Sequence, residues 1–549
     1  MRCGLEDAPS WLPQVAAWQH LRCPSDTQVH DAQLTGLNFQ FKLPSYLVPI
    51  KGAVSRHANV GGGSLFTNQG GRVVFAGLTL PSKKQLKITL RVGVPRCQAL
   101  GKVAIGAAAY QLDGNGLVTC STLATPGTVE VVKQPLKAKA AAWDAGTCVA
   151  CLDYQQVGPK LIGTGYARSP EVFQGAAVSL SDDGKILAVG AYGDGNDVGA
   201  TWLFTRDPTG AFTQLGSKLV GTAGAGVGRT GQGLSLAMSG NGQVLVVSGF
   251  GTSSSVGGAF VFRQVSQGTW QQVGSGPFVG SNPVGNDYEN HVSINYDGSV
   301  FAVGNNKDNG DTGAAYVFRD QSGTGAYTQW SGKLIGTGSA GSAQQGISVS
   351  LDAMGNTLAM GGFQDNSGAG AIWIYKAVND VWMQVGAKLV GTGTSGEAKF
   401  GFAVALSADG QVLAGGGYDD AESVGATWLW RDLVGGGTFT QWGSKLVGSG
   451  YTGASKQGAK LDLSANGQRL VIGGEGNNNS VGAVWIYSLQ ANGTWAQVAG
   501  PLIGTGYATT GIVTQGSGVS LNSDGSLVAV GGQWDDAALG ATWIFNAAC

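Results

Sequence analysis

Short stretches of alternating apolar and polar residues recur through the second part of the chain, and each meets a turn dipeptide. Stretches such as VSLS (178–181) precede the dipeptide, and stretches such as ILAVG (186–190) follow it. The dipeptides are Asp183-Gly184, Asn241-Gly242, Asp297-Gly298, Met354-Gly355, Asp409-Gly410, Asn466-Gly467 and Asp524-Gly525, and their glycines are 55 to 58 residues apart. Alternation on both sides of a tight turn predicts a hairpin, and the near-constant spacing predicts a repeated unit.

Each unit continues with two more stretches that are typical of strands. The third opens with Gly-Ala, as in GATWLF from Gly199 and GAIWIY from Gly370, and the fourth resembles WMQVG (382–386). Seven units of four short strands predict an all-β, seven-bladed β-propeller over residues 153–549. The aromatic residue in the third strand recurs at one position, which favours packing between neighbouring blades.

The two ends of the repeat array predict how the ring closes. The seventh unit ends after its third strand, at about Phe545, whereas YQQVG (154–158) stands alone ahead of the first unit and reads like a fourth strand. We therefore expect residues 154–158 to complete the last blade beside the strand that contains Trp543. Closure of this kind removes an open sheet edge.

The N-terminal part differs from the repeats. Alternating or apolar runs such as LNFQFKL (37–43) and QLKITLRVGV (85–94) are separated by Gly, Pro, Asn and Asp. These runs predict a β-sandwich domain over residues 1–152, with a jelly roll as the leading topology.

Charge divides the chain in the same way. Of 549 residues, 94 are glycine, and the net charge is −1, but residues 1–152 carry a net +8 and the remainder −9. A basic domain can face an acidic partner or simply be solvated, and nothing in it resembles a nucleic-acid-binding motif. No apolar stretch is long enough for a membrane span, and the N-terminus lacks the apolar centre of a signal peptide.

Six of the seven cysteines lie in residues 1–152, and the seventh is Cys549. Cys148 and Cys151 form a C-x-x-C pair, and ring closure would bring Cys549 close to them. We expect a disulfide from Cys549 to Cys151 or Cys148, with free thiols or a zinc site as the alternatives.

Acidic and aromatic residues gather in the loop between the second and third strands. Such loops lie together on one face of a propeller, so they predict a ligand-binding face, with turn formation as the alternative reason for the acidic residues. Its members are Tyr192, Asp194, Asp308, Phe363, Asp365, Tyr418, Asp419, Asp420, Trp534, Asp535 and Asp536. Carboxylates and flat rings suit sugars, because carboxylates accept hydroxyl hydrogen bonds and rings stack on sugar C–H groups.

The repeat resembles the FG-GAP-like propeller units of bacterial surface proteins and of large algal or protist viruses. GISVSLDAMGNTLAMGG (346–362) and GVSLNSDGSLVAVGG (518–532) carry the resemblance, which covers about residues 154–549. Integrin-type members of this group hold calcium in a D-x-D-x-D-G loop. GDGNDVG (193–199) and NNKDNGDTG (305–313) match it in part, which leaves room for calcium in one or two blades but implies no cofactor otherwise.

Catalytic motifs are scarce. The sequence has four histidines and lacks a nucleophile elbow, a metal-binding His pair and a phosphate-binding loop. His291 stands at the start of an inner strand, where other units carry Gly or small residues, so we expect it to be packed or to line the channel. We therefore predict a protein that is not an enzyme.

The resemblance and the missing signal peptide lead us to expect a virion surface protein, such as a capsid-associated vertex, spike or decoration protein. The basic domain would bind other capsid or assembly proteins, and the propeller would attach to a host glycan or protein receptor. One alternative is a carbohydrate-binding or adhesion module of a cell, at its surface or exported by a non-classical route. Another is a glycoside-acting enzyme.

Overall fold

The computed structural model describes residues 153–168, 171–222, 229–250, 257–284 and 290–548, together with eight strands between Leu34 and Glu130. The chain divides into two compact units, Met1–Ala150 and Cys151–Cys549. No helix in the described ranges is long and apolar enough to cross a membrane.

The structure describes eight strands in the N-terminal unit. They are β1 (Leu34–Lys42), β2 (Val48–Ser55), β3 (Leu65–Gln69), β4 (Arg72–Leu80), β5 (Lys87–Gly93), β6 (Lys102–Leu112), β7 (Val118–Leu123) and β8 (Gly127–Glu130). One sheet has the order β3-β4-β1-β6-β7, with β8 also paired to β6, and β2 pairs with β5 in a second sheet. A jelly-roll sandwich stays a prediction for this unit.

The second unit is a ring of seven four-stranded antiparallel sheets, which confirms the predicted propeller. Its first strand in the chain, β9 (Asp153–Gln156), belongs to the last blade. Blade 1 contains β10 (Ala177–Leu180), β11 (Ile186–Ala191), β12 (Ala200–Arg206) and β13 (Phe212–Gln214); blade 2 contains β14 (Leu236–Met238), β15 (Val244–Gly249), β16 (Gly258–Ser266) and β17 (Thr269–Phe278). Blade 3 contains β18 (Asn290–Ile294), β19 (Val300–Asn305), β20 (Ala314–Arg319) and β21 (Thr328–Gln329).

The remaining blades repeat this order. Blade 4 contains β22 (Gln345–Leu351), β23 (Thr357–Gly362), β24 (Ala371–Val378) and β25 (Val381–Gln384); blade 5 contains β26 (Ala403–Leu406), β27 (Val412–Gly417), β28 (Ala426–Arg431) and β29 (Thr440–Gln441). Blade 6 contains β30 (Lys460–Leu463), β31 (Arg469–Gly474), β32 (Ala483–Leu489) and β33 (Trp495–Leu502); blade 7 contains β34 (Gly518–Leu521), β35 (Leu527–Gly532) and β36 (Ala541–Ala548), and is completed by β9.

Closure follows the sequence prediction. β36 pairs with β9 in an antiparallel register that sets Phe545 opposite Gln156 and Ala547 opposite Tyr154. The Tyr154 ring is buried in the core of blade 7, and its hydroxyl donates a 2.6 Å hydrogen bond to the carbonyl oxygen of Gly525. The two ends of the repeat array are therefore joined within one sheet.

The first strand of every blade lies next to the first strands of its two neighbours, so these strands surround the central axis. At the end of the channel where the Asp-Gly and Asn-Gly turns lie, backbone hydrogen bonds run from blade to blade around the whole ring. The N–H groups of Asp182, Asn241, Tyr296, Ala353, Ala408, Ala465 and Ser523 each donate to a carbonyl of the next blade, at 2.9 to 3.1 Å. We call this end the lower face and the opposite end the upper face.

Tryptophans of the third strands fill the space between blades, as the sequence predicted. Trp373 and Trp485 are fully buried, and their indole N–H groups donate to carbonyls in the connector that enters their blade. The connector glycine packs against the ring: a Cβ on Gly448 would lie 2.3 Å from Trp485. This contact explains why glycine follows KLV or KLI in the connector sequence.

In six blades the structure describes the loop from the second to the third strand, and there it is a helical turn on the upper face. The turns span Asp194–Asp197, Asp308–Asp311, Asp365–Gly368, Asp420–Ser423, Asn477–Ser480 and Asp535–Ala538. Their last three residues have positive φ, as in Ala421, Glu422 and Ser423, so each turn is left-handed. Residues other than glycine pay for this conformation, about 1–2 kcal/mol each, and asparagine and glycine are accordingly frequent here.

Candidate functional site

Five of the predicted acidic site residues are buried in ion pairs. In five of the six left-handed turns the first residue is an aspartate, which is at most 2% exposed and binds the lysine of the connector that follows the same blade. The pairs are Asp535 with Lys160, Asp194 with Lys218, Asp308 with Lys333, Asp365 with Lys388 and Asp420 with Lys445. These five carboxylates therefore hold the turns against the connectors.

The same carboxylates also accept backbone hydrogen bonds. Asp365 Oδ1 accepts the N–H of Ala340 at 2.7 Å while its Oδ2 lies 2.5 Å from Lys388 Nζ. In blade 6, Asn477 takes the place of the aspartate and still accepts the N–H of Thr452 at 2.8 Å. Each group thus satisfies donors that burial would otherwise leave unpaired.

The two blades without the aspartate also lack the lysine. Blade 6 has Asn477 in place of the aspartate and Pro501 in place of the lysine, and blade 2 has the carboxylate-free segment GTSSSVG (251–257) and Pro277 in place of the lysine. Because a buried carboxylate without its lysine is costly, the two residues are present together or absent together in each blade. This correlation was present in the sequence and is the signal that sequence reasoning missed.

The other predicted site residues are more accessible. Asp536 is exposed, and Asp419 is half-buried and accepts a hydrogen bond from the Ser423 hydroxyl. The aromatic members Tyr192, Phe363, Tyr418 and Trp534 are all half-buried on the upper face. Ligand binding by these residues stays a prediction.

The turns that resemble calcium loops hold lysine ammonium groups. Lys218 binds Asp194 and Lys333 binds Asp308, so a cation would have to displace each lysine. Among the described residues, no group of three His, Cys, Asp or Glu side chains could hold a metal ion. Cys148, Cys151 and Cys549 lie outside the described residues.

The inner strands present two side chains each to the central channel. In blade 1, Val178 and Leu180 pack between blades, while Ala177 and Ser179 remain half-buried. Ser179 Oγ accepts a hydrogen bond from the N–H of Met238 in β14, the first strand of the next blade. This N–H points away from β15, the sheet partner of β14. This contact places the second inward residue on the channel wall.

Comparison of the blades shows where the channel departs from its pattern. The upper inward positions are Ala177, Ser235, His291, Ser348, Ala403, Lys460 and Gly518, and the lower ones are Ser179, Ala237, Ser293, Ser350, Ala405, Asp462 and Ser520. Titratable side chains replace small residues in blades 3 and 6 alone. Three steps separate these blades around a ring of seven, so His291 and Lys460 face each other across the channel.

Burial and neighbouring charge set the protonation states of this group. Desolvation, and then the charge of Lys460, lower the pKa of His291 to about 3, so its imidazole is neutral near pH 7. Desolvation raises the pKa of Asp462 to about 7, although its oxygens accept the N–H groups of Leu463 and Leu521, each at 2.8 Å. Asp182, at the lower end, has its pKa raised to about 6, mainly by burial and then by Asp183.

Sequence reasoning placed His291 among packed or channel-lining residues and did not single out Lys460 or Asp462. Lys460 and Asp462 belong to KLDLSANG (460–467), which reads as an ordinary amphipathic strand. Their roles become visible only when equivalent positions of all seven units are compared, because Ser, Ala or Gly then stands out as the common residue.

No protein-family model and no curated protein sequence matches the chain. Among solved structures it is similar to a putative 6-phosphogluconolactonase from Bacteroides uniformis, with 17% identity over 64% of this chain and 89% of that one, at a TM-score of 0.44. It is also similar to a periplasmic gluconolactonase from Pseudomonas aeruginosa, with 17% identity over 63% and 96% of the two chains, at a TM-score of 0.42. Likeness at this level gives the chain no activity, ligand or site.

These comparisons correct the functional expectation from the sequence. We expected a virion surface protein that displays its propeller, whereas the similar propellers are bacterial proteins named as lactonases. The assignment to a virion was therefore wrong. The expectation that the chain is not an enzyme stays a prediction.

Proposed function

We propose that the protein binds a small organic anion in the upper part of its central channel. The observation that carries the proposal is the pair of His291 and Lys460, which face each other at positions where the other blades have glycine, alanine or serine. Both side chains are half-buried. An ammonium group in such a half-buried site attracts an anion more strongly than one in bulk water.

The protonation states around this pair support an anionic ligand. A neutral His291 can donate one hydrogen bond and accept another, and Asp462 carries a proton up to about pH 7. Ser235 adds a hydroxyl group at the same level. We propose binding alone and assign no reaction to these side chains.

Calorimetric titration of the full chain with acetate, benzoate and inorganic phosphate at pH 7 tests the proposal. We expect saturable binding of at least one anion, weakened at least tenfold in Lys460→Gln. Lys185→Gln is the matched control, because Lys185 is an exposed lysine on the lower face whose side chain is 71% accessible. Absence of binding, or equal weakening by both substitutions, would overturn the proposal.

The origin of the blades in FG-GAP-like repeats is also a proposal. It is supported by the recurrence of the aspartate at the start of the loop after the second strand, which five blades share. It carries no ligand with it, because the aspartates of this chain bind lysine.

A further inference from the structure

Each blade carries one residue directly after its second strand, on the upper face, and we call these seven residues the mouth of the channel. These residues are Tyr192, Phe250, Asn306, Phe363, Tyr418, Glu475 and Gln533. Aromatic rings occupy the position in blades 1, 2, 4 and 5, and blade 7 has Trp534 one residue later. Blades 3 and 6, which carry His291 and Lys460 below, have Asn306 and Glu475 instead.

The first aromatic wall spans blades 7, 1 and 2. Phe173 stacks on Tyr192 with ring centroids 4.6 Å apart and contacts Trp534 edge-on at 5.0 Å. The Phe250 ring lies over Gly231, where a Cβ atom would meet it at 1.9 Å. Gly231 is the blade 2 equivalent of Phe173, because the segments Phe173-Gln174-Gly175 and Gly231-Gln232-Gly233 match. Since glycine has no side chain, Phe250 fills in blade 2 the space that Phe173 fills in blade 1.

The second aromatic wall spans blades 4 and 5. Phe402 directly precedes β26, so it lies at the rim of the channel, and its ring contacts Tyr418 at 4.6 Å and Phe363 at 5.4 Å, both edge-on. All three rings are half-buried and therefore keep accessible surface. Phe363 and Tyr418 belong to the predicted ligand-binding face.

The polar blades lie between these walls. Going around the ring, blades 4 and 5 separate blade 3 from blade 6 on one side, and blades 7, 1 and 2 separate them on the other. Polar groups thus form one stripe across the mouth and down the channel, with Asn306 above His291 and Glu475 above Lys460. Asn306 is 1% exposed, and its Oδ1 finds no hydrogen-bond donor among the described residues.

We infer that the ligand of this channel is a flat, ring-containing organic anion whose faces lie against the two aromatic walls and whose charged edge follows the stripe to Lys460. The inference rests on the proposed function and adds the shape of the ligand. A flat ring has two apolar faces and a polar edge, which matches two opposed walls with a polar stripe between them. Aromatic pairs prefer stacked or edge-on geometries with centroids 4.5–7 Å apart, and half-buried rings can provide either.

Three carboxylates test the inference on the full chain. Benzoate is flat, cyclohexanecarboxylate has a puckered ring of similar size, and acetate has no ring. We expect benzoate to bind about three- to tenfold more tightly than cyclohexanecarboxylate, and acetate to bind most weakly. Phe402→Leu and Trp534→Leu should each weaken benzoate by about the same factor and leave acetate unchanged.

Tyr451→Leu is the matched control, because Tyr451 is a 40% exposed aromatic residue that belongs to neither wall. Circular dichroism and the unfolding midpoint of each variant establish that the fold is retained. If the three carboxylates bind equally and all depend on Lys460, the inference fails while the proposed function stands. If none of the anions binds, both fail.

Discussion

At the scale of single residues, the buried Asp–Lys pairs show how one repeat can keep its shape with different chemistry. Blades 1, 3, 4, 5 and 7 join the turn to the connector with an ion pair, and blade 6 uses the neutral Asn477. The backbone hydrogen bond to the side-chain oxygen is the shared element. Charge is therefore dispensable at this site only when both partners change together.

Asp365→Asn should lower the free energy of unfolding by about 3–5 kcal/mol, because it leaves the largely shielded Lys388 side chain, which is 20% exposed, without a counter-charge. Lys388→Met should have a comparable effect, and the double variant should recover most of the loss. Urea unfolding followed by tryptophan fluorescence measures all three. As a control, Lys185→Met in the exposed pair of Lys185 and Asp183 should lower the free energy of unfolding by less than about 1 kcal/mol. If the losses caused by Asp365→Asn and Lys388→Met simply add in the double variant, the two residues do not form a stabilising pair.

Asp462 should make stability depend on pH. The pKa of Asp462 is 3.8 in the unfolded chain and about 7 in the folded protein, so below about pH 4 the carboxyl is protonated in both states. Between pH 3.8 and about pH 7, only the unfolded chain releases the proton. The contribution of Asp462 to the free energy of unfolding is therefore largest at low pH, and it is lost as pH rises to about 7. His291, whose pKa is lowered, acts in the opposite direction between about pH 3 and 6.5.

Comparison with Asp462→Asn isolates the Asp462 contribution, since His291 is present in both proteins. The unfolding free energy of the variant should rise relative to that of the native chain by at most about 1.4 kcal/mol per pH unit from pH 4 to 7. Urea titrations at pH 4, 5.5, 7 and 8 measure the difference. A difference that does not change with pH would mean that Asp462 is ionised in the folded channel.

At the scale of elements, the left-handed turns are strained pieces of backbone that the rest of the blade holds in place. The carbonyl of the first residue accepts the N–H of the Gly that opens the third strand, as from Gly370 to Asp365 at 2.9 Å. The carbonyl of the last residue accepts an N–H from the segment that enters the next blade, as from Lys399 to Gly368 at 2.9 Å. The turn thus links two blades as well as two strands.

The middle position of these turns offers a matched pair of substitutions. Gly310 and Ala537 are equivalent, with φ of 67° and 51°, and a Cβ on Gly310 would meet no atom within 4 Å. Gly310→Ala should therefore destabilise by about 1 kcal/mol through backbone strain alone, and Ala537→Gly should stabilise by a similar amount. Thermal unfolding of both variants measures the two effects, and changes of the same sign would show that strain does not decide them.

At the scale of the whole molecule, the repeat made the architecture predictable. The turn dipeptides and the Gly-Ala strand starts predicted the strands of each blade. The YQQVG segment ahead of the first repeat predicted the closing strand, which pairs with β36. The ion pairs escaped prediction because Asp365 and Lys388 are 23 residues apart and meet only in the folded blade. Lys460 and Asp462 escaped prediction because inward positions are defined by the register of the inner strands.

Closure by β9 should govern the integrity of the ring. A chain that begins at Pro159 lacks β9 and leaves β36 as an open edge, whereas a chain that begins at Cys151 keeps it. We expect the shorter chain to unfold at a lower temperature and to form larger species in light scattering, because an exposed edge strand pairs with other chains. Equal midpoints and equal sizes for the two chains would show that β9 is dispensable.

The position of β9 also imposes an order of events during synthesis. Tyr154 leaves the ribosome 371 residues before Gly525, its hydrogen-bond partner in the finished blade. Blades 1 to 6 can each complete a four-stranded sheet on the nascent chain, yet the strand made first must wait for the strands made last. Throughout that interval β9 is an unpaired extended segment, so it is the part of the propeller most open to a chaperone, a protease or another nascent chain.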